Sequence, residues 1–304
     1  MDTTLIQVET SAGEWWTLSG DGKGDRGVYL GQRVAGLWMA PKETIWNSTA
    51  FQDGATYGGD RNPKREITFD VEIIGNQYGS WERNWSDWIR AWRADEDCKL
   101  WYETENSRRW LNVRLGKQLD MAPTIDPIQA GHVTVTMNLI AGDPWWYSET
   151  VTSSYVTTTN TVSSGSEAGH VNLSNPTPLD MWPIWVMQGT AGIRWTIPDW
   201  SFGNDDFSRA VTDVARAIQM PPLILNEHVV LDTDPLAENG QVNSSLDTEV
   251  YQRMNGVRFM YQVPPYTGTE AEPVVLPISV THAPIGAGIE LRMRRAWPAP
   301  MGMQ

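Results

Sequence analysis

Four tryptophans, Trp81, Trp85, Trp88 and Trp92, recur at the three-and-four spacing of an α-helix. At 100° per residue they fall within an arc of about 60°. Ser80 stands where an N-cap belongs, so the spacing predicts a helix over 80–94, with Arg83 and Arg90 on the opposite face. Burying four indoles at about 150–250 Å² each removes roughly 800 Å² from water, on the order of 20 kcal/mol before denatured-state corrections. A helix with such a stripe must be docked on a core, and the four tryptophans are expected to form its structural seam. The chain carries 17 tryptophans in all, most of them in its first half.

Around that helix the pattern is β. From Arg65 to Ile73 the odd positions are apolar or long-chain and the even ones polar, the period of a strand with one buried face. Trp15-Trp16-Thr17-Leu18 and Val28-Tyr29-Leu30 flank the Gly- and Asp-rich stretch Ser19–Arg26, which suits a hairpin and its turn. Strand-like runs follow at Leu100–Glu103, Arg109–Leu115 and His132–Leu139, and Gly142-Asp-Pro-Trp-Trp-Tyr147 closes this region. Residues 150–166 are rich in Ser and Thr, so they read as a flexible linker. Val151, Tyr155, Val156 and Val162 interrupt that run and equally suit an extended strand with polar faces.

The second half holds many short strand candidates between Ile184 and Arg294, Leu223–Leu225 and Val257–Tyr261 among them. Separated by Gly and Pro turns, they suggest a sandwich. Between Asp206 and Gln219, Ala210, Val211, Val214, Ala215 and Ile218 keep helical spacing, which predicts a short helix. A length of 304 residues suits two domains. The expected division is 1–148, strands plus one helix, and 149–304, a β-sandwich, giving a mainly β protein.

Motifs for chemistry are sparse. Gly22-Lys-Gly24-Asp-Arg-Gly27 matches G-x-G-x-x-G, but a strand pattern follows it where a dinucleotide site needs a helix. Asp21 and Asp25, and Asp232 and Asp234, lack the ligand spacing of a calcium loop. The four histidines show no i, i+4 pairing, nucleophile elbows and Walker loops are missing, and Asp95-Glu-Asp97 and Asp205-Asp206 read as hydrated turns. No enzyme activity, cofactor or metal is therefore expected. Cys98 is the only cysteine, which excludes an intrachain disulfide and suits a reducing compartment. A net charge of −14 without a basic run argues against tight nucleic-acid binding. No signal peptide or apolar span is visible, so a cytoplasmic, untethered chain is expected, with no membrane partner.

The order of signals resembles the distal tail proteins of long-tailed phages, particularly the minor tail proteins of phages that infect actinobacteria. The residues that carry the resemblance are an early hairpin, then Asp60-Arg-Asn-Pro-Lys-Arg-Glu-Ile-Thr-Phe69, the Trp-rich helix, and Ala141-Gly-Asp-Pro-Trp-Trp146. They continue through Asn175-Pro-Thr-Pro178, Trp195-Thr-Ile-Pro-Asp-Trp200, Leu231-Asp-Thr-Asp-Pro235, Met254-Asn-Gly-Val-Arg-Phe259 and Val263-Pro-Pro-Tyr-Thr267. These are packing and turn signatures, and their order covers nearly the whole chain.

The resemblance implies an N-terminal β-sandwich or split-barrel domain with a docked helix that assembles as a sixfold ring, followed by an outer galectin-like β-sandwich. Such a ring joins the tail tube protein to the tail hub and tip proteins, carries receptor-binding proteins in some members, and leaves a channel for DNA. It implies assembly in the host cytoplasm and a final place at the tail tip of the virion. The negative net charge suits a lumen past which DNA slides without specific binding. The alternative is a carbohydrate-binding tail protein acting in host adsorption, with Trp145, Trp146 and Trp200 as stacking platforms. A glycan-degrading enzyme would rest only on abundant carboxylates and aromatics.

Overall fold

The computed structural model describes residues 4–77, 79–121 and 123–303. The protein is mainly β, and its chain divides into two compact units: one runs to Ser148 and includes Ala296–Met303, the other is Glu149–Arg295. The expected second domain therefore ends too late, because residues 296–303 belong with the first unit.

The first unit contains β1 (Leu5–Glu9), β2 (Trp15–Ser19), β3 (Val28–Ala35), β4 (Glu43–Asn47), β5 (Thr56–Arg61) and β6 (Arg65–Ile74). Helix α1 (Trp81–Ala91) follows, then β7 (Cys98–Glu103), β8 (Arg108–Leu115), β9 (Asp120–Met121), the short α2 (Pro127–Ala130), β10 (His132–Ala141) and β11 (Trp146–Tyr147). The main antiparallel sheet runs β2-β1-β7-β8-β10-β6-β3. Its end strands β2 and β3 approach one another without a ladder, in the manner of a split barrel.

The hairpin expected across Ser19–Arg26 does not form, because β2 pairs with β1 and β3 with β6. The connection is too long for a tight turn to fix a register, and β6 offers β3 an alternating partner. In β6 the residues Arg65, Ile67, Phe69, Val71 and Ile73 are all buried, so the period-two pattern faces the core as a half-buried strand should. Helix α1 starts at Ser80, whose hydroxyl accepts from the Arg83 amide at 3.4 Å, and packs on β6. It stops three residues short of the expected end, with Trp92 as its C-cap.

The second unit holds β12 (Val151–Val156), β13 (Ser166–Leu173), β14 (Ile184–Met187), β15 (Arg194–Pro198), β16 (Ala217–Gln219), β17 (Val229–Asp232) and β18 (Val242–Ser244). Helix α3 (Val250–Arg253), β19 (Val274–Thr281) and β20 (Gly288–Met293) complete it, and β21 (Ala296–Trp297) pairs with β11 of the first unit. Two sheets, β12-β20-β14-β17-β18 and β13-β19-β15-β16, carry a core that includes Trp185, Trp195, Ile197, Leu231, Ile278 and Leu291. The Ser/Thr-rich stretch begins as strand β12, with alternating half-buried and exposed residues paired to β20, so the linker alternative is discarded for 151–156.

The helix expected over 206–219 is absent, and Leu223–Leu225 and Val257–Tyr261 are not strands. Side chains compete there with helical hydrogen bonding: Asp205 accepts from the Ala210 amide, Asn204 from the Asp206 amide, and Ser201 donates to the Ala210 carbonyl. Val211 and Val214, read from sequence as an apolar face, are exposed.

Candidate assembly interface

Between β3 and β6 the chain leaves the main sheet as an arm. Strands β4 and β5 pair only with each other, from Glu43 opposite Arg61 to Asn47 opposite Thr56, with a bulge between Ile45 and Trp46. From Lys42 to Arg61 every residue except Gly59 is exposed. Trp46 and Tyr57 meet edge to face at 5.6 Å. Arg61 pairs with Glu43 at 2.8 Å, Lys42 with Asp60 at 2.7 Å, and the Tyr57 hydroxyl donates to Asp60 at 2.7 Å. At the tip Phe51 adopts a φ of 69° with its side chain fully in water, a backbone region that bulky residues rarely enter. Ile45, Trp46 and Tyr57 are also exposed, as are Trp38 and Met39 at the root.

The root is fixed by buried charge. Arg65, 1% exposed, donates from Nη1 to the Leu37 carbonyl at 2.8 Å, from Nε to Pro144 at 2.9 Å and from Nη2 to Pro298 at 2.9 Å. The Pro298 carbonyl also accepts from the Ala40 amide at 2.8 Å. Gly36 has a φ of 76°, and a Cβ there would lie 1.9 Å from the Glu66 carbonyl oxygen, so only glycine lets the chain turn away from β6 at this point. Arg109, also buried, donates to the carbonyls of Ala299 at 2.8 Å and Gly302 at 2.7 Å, and its guanidinium lies 3.9 Å from the Trp297 ring centre. Burial pushes both guanidiniums down to about 10, still charged at neutral pH. Arg65 thus ties Pro298 to the arm's root at Leu37, and Arg109 ties Ala299 and Gly302 to β8.

A groove flanks the Trp-rich helix. Trp85, Ile89 and Trp92 form one wall and Leu115, Leu119 and Met121 the other, over an open volume of about 1020 Å³. Of the four seam residues, Trp88 and Trp92 are buried while Trp81 and Trp85 are half-buried. Trp88 meets Trp16 at 5.8 Å and Trp92 at 5.3 Å, and Trp81 stacks on Trp85 at 6.2 Å. The helix stripe therefore has a core part and a part that lines the groove.

The three platform residues are divided between the units. Trp145 and Trp146 belong to the first unit and Trp200 to the second. Trp146 is completely buried, 6.3 Å from the Tyr102 ring and 5.9 Å below Arg65, so it has no face to offer a sugar. Trp145 is half-buried, and Trp200 is half-buried against Phe202 at 6.0 Å. Sequence reasoning missed the arm. Its signal is an isolated pattern of Trp46, Phe51 and Tyr57 in an otherwise polar stretch rich in Thr, Asn and Gly. Among the described residues no group of three or more His, Cys, Asp or Glu is placed to hold a metal ion, and no helix is long and apolar enough to cross a membrane.

No protein-family model matches the chain. Its sequence is 30% identical to the minor tail protein Gp27 of Mycobacterium phage L5, over 99% of each protein. The chain belongs to this family of phage minor tail proteins. The fold of this minor tail protein is similar to that of the Dit protein of phage SPP1, which superposes with a TM-score of 0.59 at 14% identity, over 97% of this chain and all of that one. A chain of the phage P2 baseplate in its activated conformation superposes with a TM-score of 0.54 at 10% identity, over 96% and 98%. The resemblance read from the order of turn and packing signatures thus names the right family, and the protein is a structural component of a phage tail.

Proposed function

We propose that the protein is a distal tail adaptor that closes into a sixfold ring joining the tail tube to the tail hub and tip proteins. The first unit is the ring-forming domain. The second, a galectin-like sandwich, is an outer platform for neighbouring tail proteins, receptor-binding proteins among them. The ring leaves a channel for DNA, and the net charge of −14 suits a wall that repels the passing polyanion. Assembly takes place in the host cytoplasm and the finished ring sits in the virion. The likeness in fold to SPP1 Dit, described as a paradigm of the hub adsorption apparatus of phages infecting Gram-positive bacteria, supports this reading.

The observation that carries it is the arm. A lone two-stranded hairpin is marginally stable in water, and this one exposes Ile45, Trp46, Phe51 and Tyr57, an apolar surface that calls for a protein partner. No observation favours the carbohydrate-binding alternative, since Trp146 is buried and Trp145 and Trp200 are each half-buried.

The test replaces residues 43–61 by a short Gly-Ser turn. The shortened protein should keep its melting temperature within a few degrees and sediment as a monomer under conditions where the full chain forms rings. Rings of unchanged size from the shortened chain would refute the reading of the arm.

A further inference from the structure

A ring needs a head-to-tail interface, in which a surface on one copy meets a different surface on the next. The first unit carries an apolar projection, the arm, and a recess beside α1 in which the apolar walls of Trp85, Ile89, Trp92, Leu115, Leu119 and Met121 are mixed with polar groups such as Thr68, Gln118, Thr136 and Asn138. We propose that the arm of one copy seats in the groove of its neighbour, with Phe51 inserted between the Trp85–Ile89–Trp92 wall and the Leu115–Leu119–Met121 wall. This rests on the ring reading and adds the identity of the two surfaces.

Size, reach and charge support the pairing. Phe51 is fully exposed and Trp46 and Tyr57 about half exposed, so the three rings offer on the order of 400 Å². That is about half of the ~800 Å² per partner of a specific interface, and Ile45, Trp38 and Met39 add to it. The groove, about 1020 Å³ in volume, holds several side chains. Five residues per strand at about 3.3 Å each carry the tip some 16 Å or more from the root, far enough to reach a second molecule. Asp53 at the tip is exposed and makes no ion pair among the described residues. Arg33 and Lys117, exposed on the groove, are likewise without one, and Asp120 beside them leaves the recess net positive. Nothing within the described chain covers Phe51.

The pairing is tested with Phe51→Cys and Met121→Cys, both at exposed positions, and a short bis-maleimide. Cys98 is buried and burial raises its thiol pKa, so it contributes little background. Each variant alone should give no cross-linked dimer, and an equimolar mixture should give a dimer band. The double variant should give a ladder ending at the ring. Separately, Asp53→Lys should weaken association a few-fold, as expected for one exposed charge pair, and Lys117→Glu should restore it in the Asp53→Lys background. Rings by native mass with no cross-link in the mixture would overturn the arm-in-groove pairing and leave the ring reading intact. Cross-linking of Phe51→Cys with itself would also overturn it, in favour of arm-to-arm contact. A chain monomeric at every concentration and present singly in purified tails would overturn both.

Discussion

At the scale of single residues, the buried guanidiniums matter most to the arm. Arg65 satisfies three main-chain carbonyls, from Leu37, Pro144 and Pro298, in a place where unpaired polar groups are costly. Arg65→Met should lower stability by about 3 kcal/mol in urea unfolding and make the segment 36–42 sensitive to protease. Unchanged stability would mean that water replaces the guanidinium at no cost. Glu167 is one of the buried charges of the second unit. It accepts from the Tyr155 hydroxyl at 2.6 Å, the Thr158 amide and hydroxyl at 2.8 Å and the Thr159 amide at 2.9 Å. These bonds, the Tyr155 one foremost, hold its carboxyl down at about 2 from an ordinary 4.5. A depressed carboxyl stabilises above its unfolded value and loses that contribution as pH falls through the folded one. The Tm difference between the native chain and Glu167→Gln should therefore be full above pH 4.5 and shrink towards pH 2. Burial pushes Asp199 the other way, up to about 6, but it is present in both proteins and cancels in the difference. A difference flat from pH 7 to 2 would contradict the assignment.

At the scale of elements, α1 and β6 show what local pattern can specify. The spacing of Trp81, Trp85, Trp88 and Trp92 and the alternation of Arg65–Ile73 are each read by one neighbouring surface, so the sequence alone locates them. It cannot divide the stripe into the buried Trp88 and the groove-lining Trp85, because that depends on β8 and β9 arriving from elsewhere in the chain. Trp88→Ala should cost about 3–5 kcal/mol and reduce soluble protein, whereas Phe51→Ser should leave the melting temperature within about a degree. Equal losses would mean that Phe51 is covered within the monomer. The hairpin expected between β2 and β3, and the helix expected over 206–219, fail for a common reason. Their local signals were genuine, but the shorter β1–β2 connection and the long-range β3–β6 ladder in one case, and side-chain-to-backbone bonds in the other, outcompeted them.

At the scale of the whole molecule, the order of soft motifs carried more than any single one. Turn and packing signatures from Asp60 to Thr267 pointed to tail proteins although none marks a site, and the relationship to Gp27 along 99% of the chain bears this out. The arm stayed hidden because it has no partner within its own chain, so no periodic pattern marks a buried face. The return of residues 296–303 to the first unit was hidden too, since the partners that give that segment a place, strand β11 and the buried Arg65 and Arg109, lie far from it in sequence. In the proposed assembly the first unit closes a ring through a surface left open in the monomer. Native mass spectrometry of the purified full-length chain, with negative-stain images of the same sample, tests this most directly. The expected result is a closed species of six times the 34.2 kDa chain mass and annular particles. A single-chain mass at every concentration, with isolated copies in purified tails, would contradict it.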